Sequence, residues 1–104
     1  MEEDKIMARY LVLWEIDITK TPEDPKAKKA QYLAFGDLVK KQLQEGAVKE
    51  WGLFLGSVEG YNIFEGSNVE LQTLIGMWTP FIRFNTRELM TIDEVIKANK
   101  ALPG

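Results

Sequence analysis

Residues 49–67, KEWGLFLGSVEGYNIFEGS, constrain the fold of this 104-residue chain more than any other stretch. Aromatic and apolar residues on either side of a Gly-Ser-Val-Glu-Gly centre read as two short strands joined by a tight turn. Glycines at 52, 56, 60 and 66 leave parts of the hairpin without side chains. A glycine inside a strand gives up packing and backbone entropy, so several together mark a turn, a bulge or a surface that something else approaches. The stretch argues for a fold and for a pocket, and it names no reaction.

Composition sets the outer limits. The chain is 45% apolar and 11% aromatic, which is ordinary globular content and enough for one core. Its formal net charge is −3, and its thirteen basic residues are interleaved with acids, so no basic stripe forms and nucleic acid is not an expected partner. No apolar run approaches the roughly 20 residues of a membrane helix, so no membrane partner is expected. The start, MEEDKIMARY, is acidic and lacks the order of a secretion signal, so a cytoplasmic location is expected. The chain has neither cysteine nor histidine. Disulfides, thiolate metal sites, cysteine nucleophiles, imidazole acid–base catalysis and histidine-ligated haem are thereby closed. Neither a metal nor a cofactor is expected.

Residues 1–6 read as a disordered tail, with Met1 and Met7 both open as the natural start, and residues 7–104 as a single domain. Residues 8–17, apolar on both faces, suit a central strand. Residues 26–45 turn helical, with Ala30, Tyr32, Leu33, Phe35, Leu38, Val39 and Leu43 on one broad face and Gly46 as C-cap. The hairpin follows, with strands at 48–56 and 60–65. Ser67 and Glu70 form a capping box that opens a helix through about Met77. Residues 80–86 alternate as a strand. Thr91 and Glu94 form a second capping box, opening a terminal helix with Ile92, Val95, Ile96 and Ala98 on one side. The order is βαββαβ plus a helix. Its economical solution is an α+β ferredoxin-like fold, a four-stranded antiparallel sheet with both main helices on one side.

Such a sheet leaves one face uncovered. A two-residue turn at Val58-Glu59 pairs Gly56 with Tyr61, Leu55 with Asn62, Leu53 with Phe64 and Gly52 with Glu65. Trp51, Leu53, Leu55 and Phe64 then lie under the helices, as do Ile82 and Phe84. Glu50, Gly52, Phe54, Gly56, Tyr61, Ile63 and Glu65 take the open face with Phe81, Arg83 and Asn85. Tyr10, Val12, Trp14 and Ile16 are assigned to that face in the first strand, although Leu11 and Leu13 fit almost as well. The face is too apolar to stand in water. Two copies packed sheet to sheet bury it and enclose a cavity.

The βαββαβ order with a mixed open face resembles the dimeric α/β-barrel superfamily, which includes muconolactone-isomerase-like and stress-responsive barrel proteins. More narrowly, WG-x-F-x-G at residues 51–56, Gly60-Tyr61 and Glu65-Gly66 resemble a family of short microbial domains of unassigned activity, over most of the chain from Met7 onward. The resemblance implies a homodimeric barrel. Superfamily members that bind haem do so through histidine, and that version does not carry over to this chain.

Within such a lumen Glu50, Glu65 and Arg83 are the candidate catalytic residues. A carboxylate in an apolar lumen has a raised pKa and serves as a general base, and an arginine holds an anionic substrate. The structural alternative is that Arg83 neutralises a glutamate. Tyr10, Trp14, Gly52, Phe54, Gly56, Tyr61 and Phe81 are the candidate ligand-binding residues, either lining a pocket or filling a dimer core. Gly36, inside the first helix, is assigned to close packing against the sheet. The expectation is a small-molecule-binding or accessory domain with a mostly apolar lumen, taking a small apolar or anionic ligand. The alternatives are a cofactor-independent isomerase or monooxygenase, and a purely structural, protein-interaction domain.

Overall fold

A computed structural model describes residues 7–104, and the expected N-terminal tail lies outside the described residues. The elements are β1 (Ala8–Ile16), α1 (Pro25–Glu45), β2 (Val48–Leu53), β3 (Glu59–Gly66), α2 (Asn68–Trp78), β4 (Ile82–Leu89) and α3 (Ile92–Lys100), with a single 3-10 turn at Ile18–Lys20. The four strands form one antiparallel sheet in the order β2-β3-β1-β4. This α+β layout is compatible with the ferredoxin-like arrangement.

Local chemistry sets the element ends. The Asp24 carboxylate accepts from the Ala27 N–H and Pro25 occupies the first turn of α1, where its missing N–H has no helical partner to lose. Gly46 ends α1 at φ +93°, a left-handed conformation in which a side chain is strained. Both capping boxes form as expected, Ser67 with Glu70 on α2 and Thr91 with Glu94 on α3. Thr79 closes α2, and a cis Thr79–Pro80 peptide leads into β4.

The first strand is inverted relative to expectation. Val12 and Trp14 are buried under the helices, at 0% and 7% exposure, with Tyr10 and Ile16 on the same side. Leu11 and Leu13 face the open side beside Ile63 and Tyr61. Period-two patterning does not choose between two apolar sets. The sheet register does: Trp14 pairs with Gly60, and a Cβ on Gly60 would lie 2.3 Å from the Trp14 ring. The indole lies over the bare backbone of β3 and stacks on Trp51 with centroids 5.1 Å apart.

The hairpin turn is longer than two residues. Gly56 adopts φ +79°, and β2 stops at Leu53, so residues 54–58 form the connection. Phe54 N–H donates to Glu59 O and Ser57 Oγ accepts from Glu59 N–H, which closes the loop. Gly52 therefore stands opposite Tyr61, and Leu53 opposite Gly60. The partner of Tyr61 moves by an even number of positions, so each strand keeps its expected face. Leu55, expected under the helices, is fully exposed in the loop.

The core has two parts. Val12, Val48, Phe64 and Leu71 pack under α2 with Tyr10, Ala47 and Ile75. Trp14, Trp78 and Ile82 form the second cluster, with Phe35 and Val39 of α1 against them. Burial of a side chain such as Phe64 contributes about 1.5–3 kcal/mol. Helix α1 contributes no fully buried residue, and α3 leaves Ile92 and Ile96 exposed.

Two glycine substitutions have opposite expected effects on thermal unfolding. Gly60→Ala places its Cβ 2.1 Å from the Gly52 carbonyl oxygen and destabilises the fold by more than about 2 kcal/mol. Gly36→Ala meets nothing within 4 Å and stabilises α1 by about 0.5–1 kcal/mol. A reversed order of melting temperatures contradicts this packing.

Candidate functional site

A concavity lies between α1 and the helix-facing side of the sheet, not on the open face. It is half open to solvent and has a volume of about 280 Å³. Its sheet wall is built from Trp14 and Ile16 of β1, Trp51 and Leu53 of β2, Asn62 of β3, and Ile82 and Phe84 of β4. Its helical wall comes from Tyr32, Phe35, Gly36, Val39 and Gln42 of α1 and from Leu74 and Trp78 of α2. All three tryptophans of the chain line it, and among the described residues no charged one does.

The cavity follows from the spacing along α1. Positions 32, 35, 36 and 39 form one helical stripe, and the third of them has no side chain. Phe35 meets Trp78 edge-on at 5.3 Å and Phe81 at 6.2 Å. Gly36, next to it, leaves open space where a larger residue would reach the sheet. The close packing assigned to Gly36 from sequence is thus replaced by its opposite.

Two buried polar atoms occur in this apolar wall. Among the described residues Trp14 Nε1 and Asn62 Oδ1 have no hydrogen-bond partner, and Asn62 is only 5% exposed. Buried side-chain polar atoms are ordinarily paired, since leaving one unpaired costs roughly 1–3 kcal/mol. Both atoms lie beneath the accessible surface of the wall, covered by neighbouring side chains.

The open face carries different chemistry. Tyr61 Oη donates to Glu50 Oε2, and the Tyr61 ring covers Gly52, whose Cβ would lie 2.6 Å from it. The space expected over Gly52 is therefore filled from within the chain. Phe54 stacks on Tyr61 at 6.3 Å. The hydrogen bond to Glu50, with partial desolvation and the nearby negative charge, raises the Tyr61 pKa above the ordinary phenol value.

Glu50, Glu65 and Arg83 are not brought together within one chain. Glu65 pairs with Arg9 at 2.9 Å and lies 4.0 Å from Lys49. Arg83 is 3.8 Å from Asp17. Glu50 and Arg83 sit on opposite edge strands, three strand spacings or about 14 Å apart across the sheet, and Glu50 is level with Arg87 rather than Arg83. The carboxylates level with Arg83 are Glu15 and Glu59, around a shallow depression with Leu13 and Asn85. Asp17 is lowered from the usual carboxylate value, first by the Thr19 hydroxyl, against an opposing desolvation effect, and then by the Thr19 N–H, Arg83 and Lys20.

Of the expected ligand-binding residues, Trp14 alone lines the cavity. Tyr10 lies on the helix side with Phe64, and Phe81 packs on Phe35 before β4 begins, so neither belongs to the open face. Gly56 is a loop residue. Asn62 and Gly36 were not among the expected site residues. Their signals were a lone amide on the apolar set of a strand, between Gly60 and Phe64, and a glycine on the apolar stripe of a helix.

No family model matches the chain, and comparison with curated proteins and with solved structures gives no match. The superfamily resemblance extends as far as the small α+β domain with its four-stranded antiparallel sheet.

Spectrophotometric titration checks the Glu50–Tyr61 contact. Tyr61 ionises above the ordinary phenol midpoint, and Glu50→Gln lowers that midpoint, with Tyr61→Phe identifying the signal. Because the folded-state pKa is raised, the associated stability is present below the unfolded midpoint and is lost as pH rises through the folded one. An unmoved midpoint in Glu50→Gln contradicts the contact.

Proposed function

We propose that the chain is a small-molecule-binding domain whose site is the cavity between α1 and the sheet. One observation carries this reading: an aromatic-walled space of about 280 Å³ with no charged side chain in its lining among the described residues, and with Tyr32, Gln42, Ser57 and Asn62 as its polar members. Ligand sites are concave, mostly apolar and equipped with a few convergent polar groups. An engineered apolar cavity of about 150 Å³ accepts benzene, so the present volume suits a molecule of about two fused rings.

The open face supports a second element of the proposal, association of two copies sheet to sheet as a homodimeric α/β barrel. Leu11, Leu13, Tyr61 and Ile63 lie side by side on it in register, flanked by Arg87 on one side and Glu50 on the other. An apolar centre between charges of opposite sign is self-complementary under a two-fold axis. The isomerase or monooxygenase reading has less support, because Glu50, Glu65 and Arg83 are each engaged by another residue of the same chain.

Calorimetric titration with 2-naphthol tests the binding site. Saturable binding is expected in the native chain, with a loss of about tenfold or more in Gly36→Leu, whose side chain enters the cavity from α1. Absence of saturable binding, or equal binding in the variant, overturns the assignment. Sedimentation tests the second element: a dimer at micromolar concentration is expected, converted to a folded monomer by Leu13→Glu. A monomeric native chain sinks it.

A further inference from the structure

Helix α3 is built to pack against something and leaves its apolar side exposed. It has a complete capping box, acidic residues in its first turn and basic ones in its last. Ile92, Val95 and Ile96 form an i, i+3, i+4 stripe, with Ile92 71% and Ile96 44% exposed. We infer that α3 is a clasp, which docks on a second copy of the chain across the start of β2 and the last turn of α1. This inference rests on the sheet-to-sheet pairing proposed above, and it names the surface that secures that pairing.

Three observations carry it. First, α3 is nine residues long, below the roughly 12–15 at which a helix holds alone in water, so its stability has to come from packing. Among the described residues, no hydrogen bond, ion pair or ring contact joins it to another element. Second, the open face is small for a stable dimer. Strands of 9, 6, 8 and 8 residues present every second side chain there, fewer than the roughly 20–30 residues that each partner contributes to a standard interface. The apolar surface continues beyond that face. Leu89 lies on it beside Arg9, its register partner, and Met90, Ile92 and Ile96 follow, all exposed.

Third, register and charge select the seat. Arg87, Leu11, Ile63 and Glu50 lie in one row across the sheet. A two-fold axis that sets Arg87 over Glu50 of the partner subunit therefore runs parallel to the strands, and lays β4 over the partner's β2. Strand β4 ends at the edge of the sheet where β2 begins, and α1 ends there too, at Gly46. Helix α3 thus leaves β4 beside residues 45–49 of the second copy. Read outward from the sheet, that segment presents Lys49 and then Glu45, while α3 presents Asp93 in its first turn and then Lys97 and Lys100 in its last. The last turn of α1 has no basic residue of its own, and its terminal carbonyls carry partial negative charge. Lys97 and Lys100 supply what it lacks, and Leu43, exposed in the same turn, receives the apolar stripe.

Sedimentation of the full chain at graded concentrations, with hydrogen exchange of the α3 amides, decides the matter. Ile92→Glu combined with Ile96→Glu is expected to weaken the dimer by about tenfold or more. The monomer stays folded in that variant, because both side chains are exposed in the single chain. The α3 amides are expected to be protected where the native chain is dimeric and unprotected in the Leu13→Glu monomer. Glu45→Lys is expected to weaken the dimer about threefold, and adding Lys97→Glu with Lys100→Glu to restore it. A dimer of native strength in the double isoleucine variant overturns the inference and leaves the sheet pairing standing. Equal protection of α3 in the Leu13→Glu monomer also overturns it, by placing the helix on its own chain. Glu45→Lys without effect overturns it by removing the seat on α1. A monomeric native chain removes the pairing and the clasp together.

Discussion

The contact of the Trp14 indole with the bare backbone at Gly60 sets the rest of the structure. A side chain at position 60 would meet both that ring and the Gly52 carbonyl oxygen, so only glycine admits the close approach of β2, β3 and the indole. With Trp14 seated there, the helix-facing set of β1 is fixed as Tyr10, Val12, Trp14 and Ile16, and Leu11 and Leu13 must face the other way. Stacking on Trp51 carries the same aromatic surface across to the edge strand. One wall of the cavity is thus made by a tertiary contact between residues far apart in sequence.

The other wall is made by what α1 lacks. Phe35 braces the helix against Trp78 and Phe81, while Gly36 beside it contributes no side chain towards the sheet. A dense interior is the rule in small domains, and a space of this size in one is a departure from it. The departure coincides with two unpaired polar atoms in the same wall. Local rules of packing and pairing are most often broken where a protein has a use for the breach.

Much of the architecture was legible along the chain. Both capping boxes, the left-handed Gly46, and the alternation of β3 and β4 specify their elements through local chemistry, and the structure keeps them. Gly52 with Tyr61, Glu50 and Glu65 also kept their expected face, because an even slide of register preserves faces. The side chosen by β1 was not legible, since both of its residue sets are apolar and the choice depends on a ring meeting a glycine on another strand. The loop length was misjudged because Gly56 reads equally well as a bare strand position and as a left-handed turn residue. The site was sought on the open face for the same reason: bare glycines suggested room, whereas Tyr61 fills the place over Gly52.

Cavity and open face divide the molecule into two surfaces with distinct chemistry, one uncharged and aromatic, the other studded with ion pairs. The central claim is that the first of these is the ligand site. A crystal structure of the protein grown with 2-naphthol tests it most directly. The account predicts the naphthol ring between α1 and the sheet, against Trp14 and Trp78 and beside Gly36. A ring bound on the open face over Tyr61, or α1 closed onto the sheet with no space left at Gly36, contradicts it.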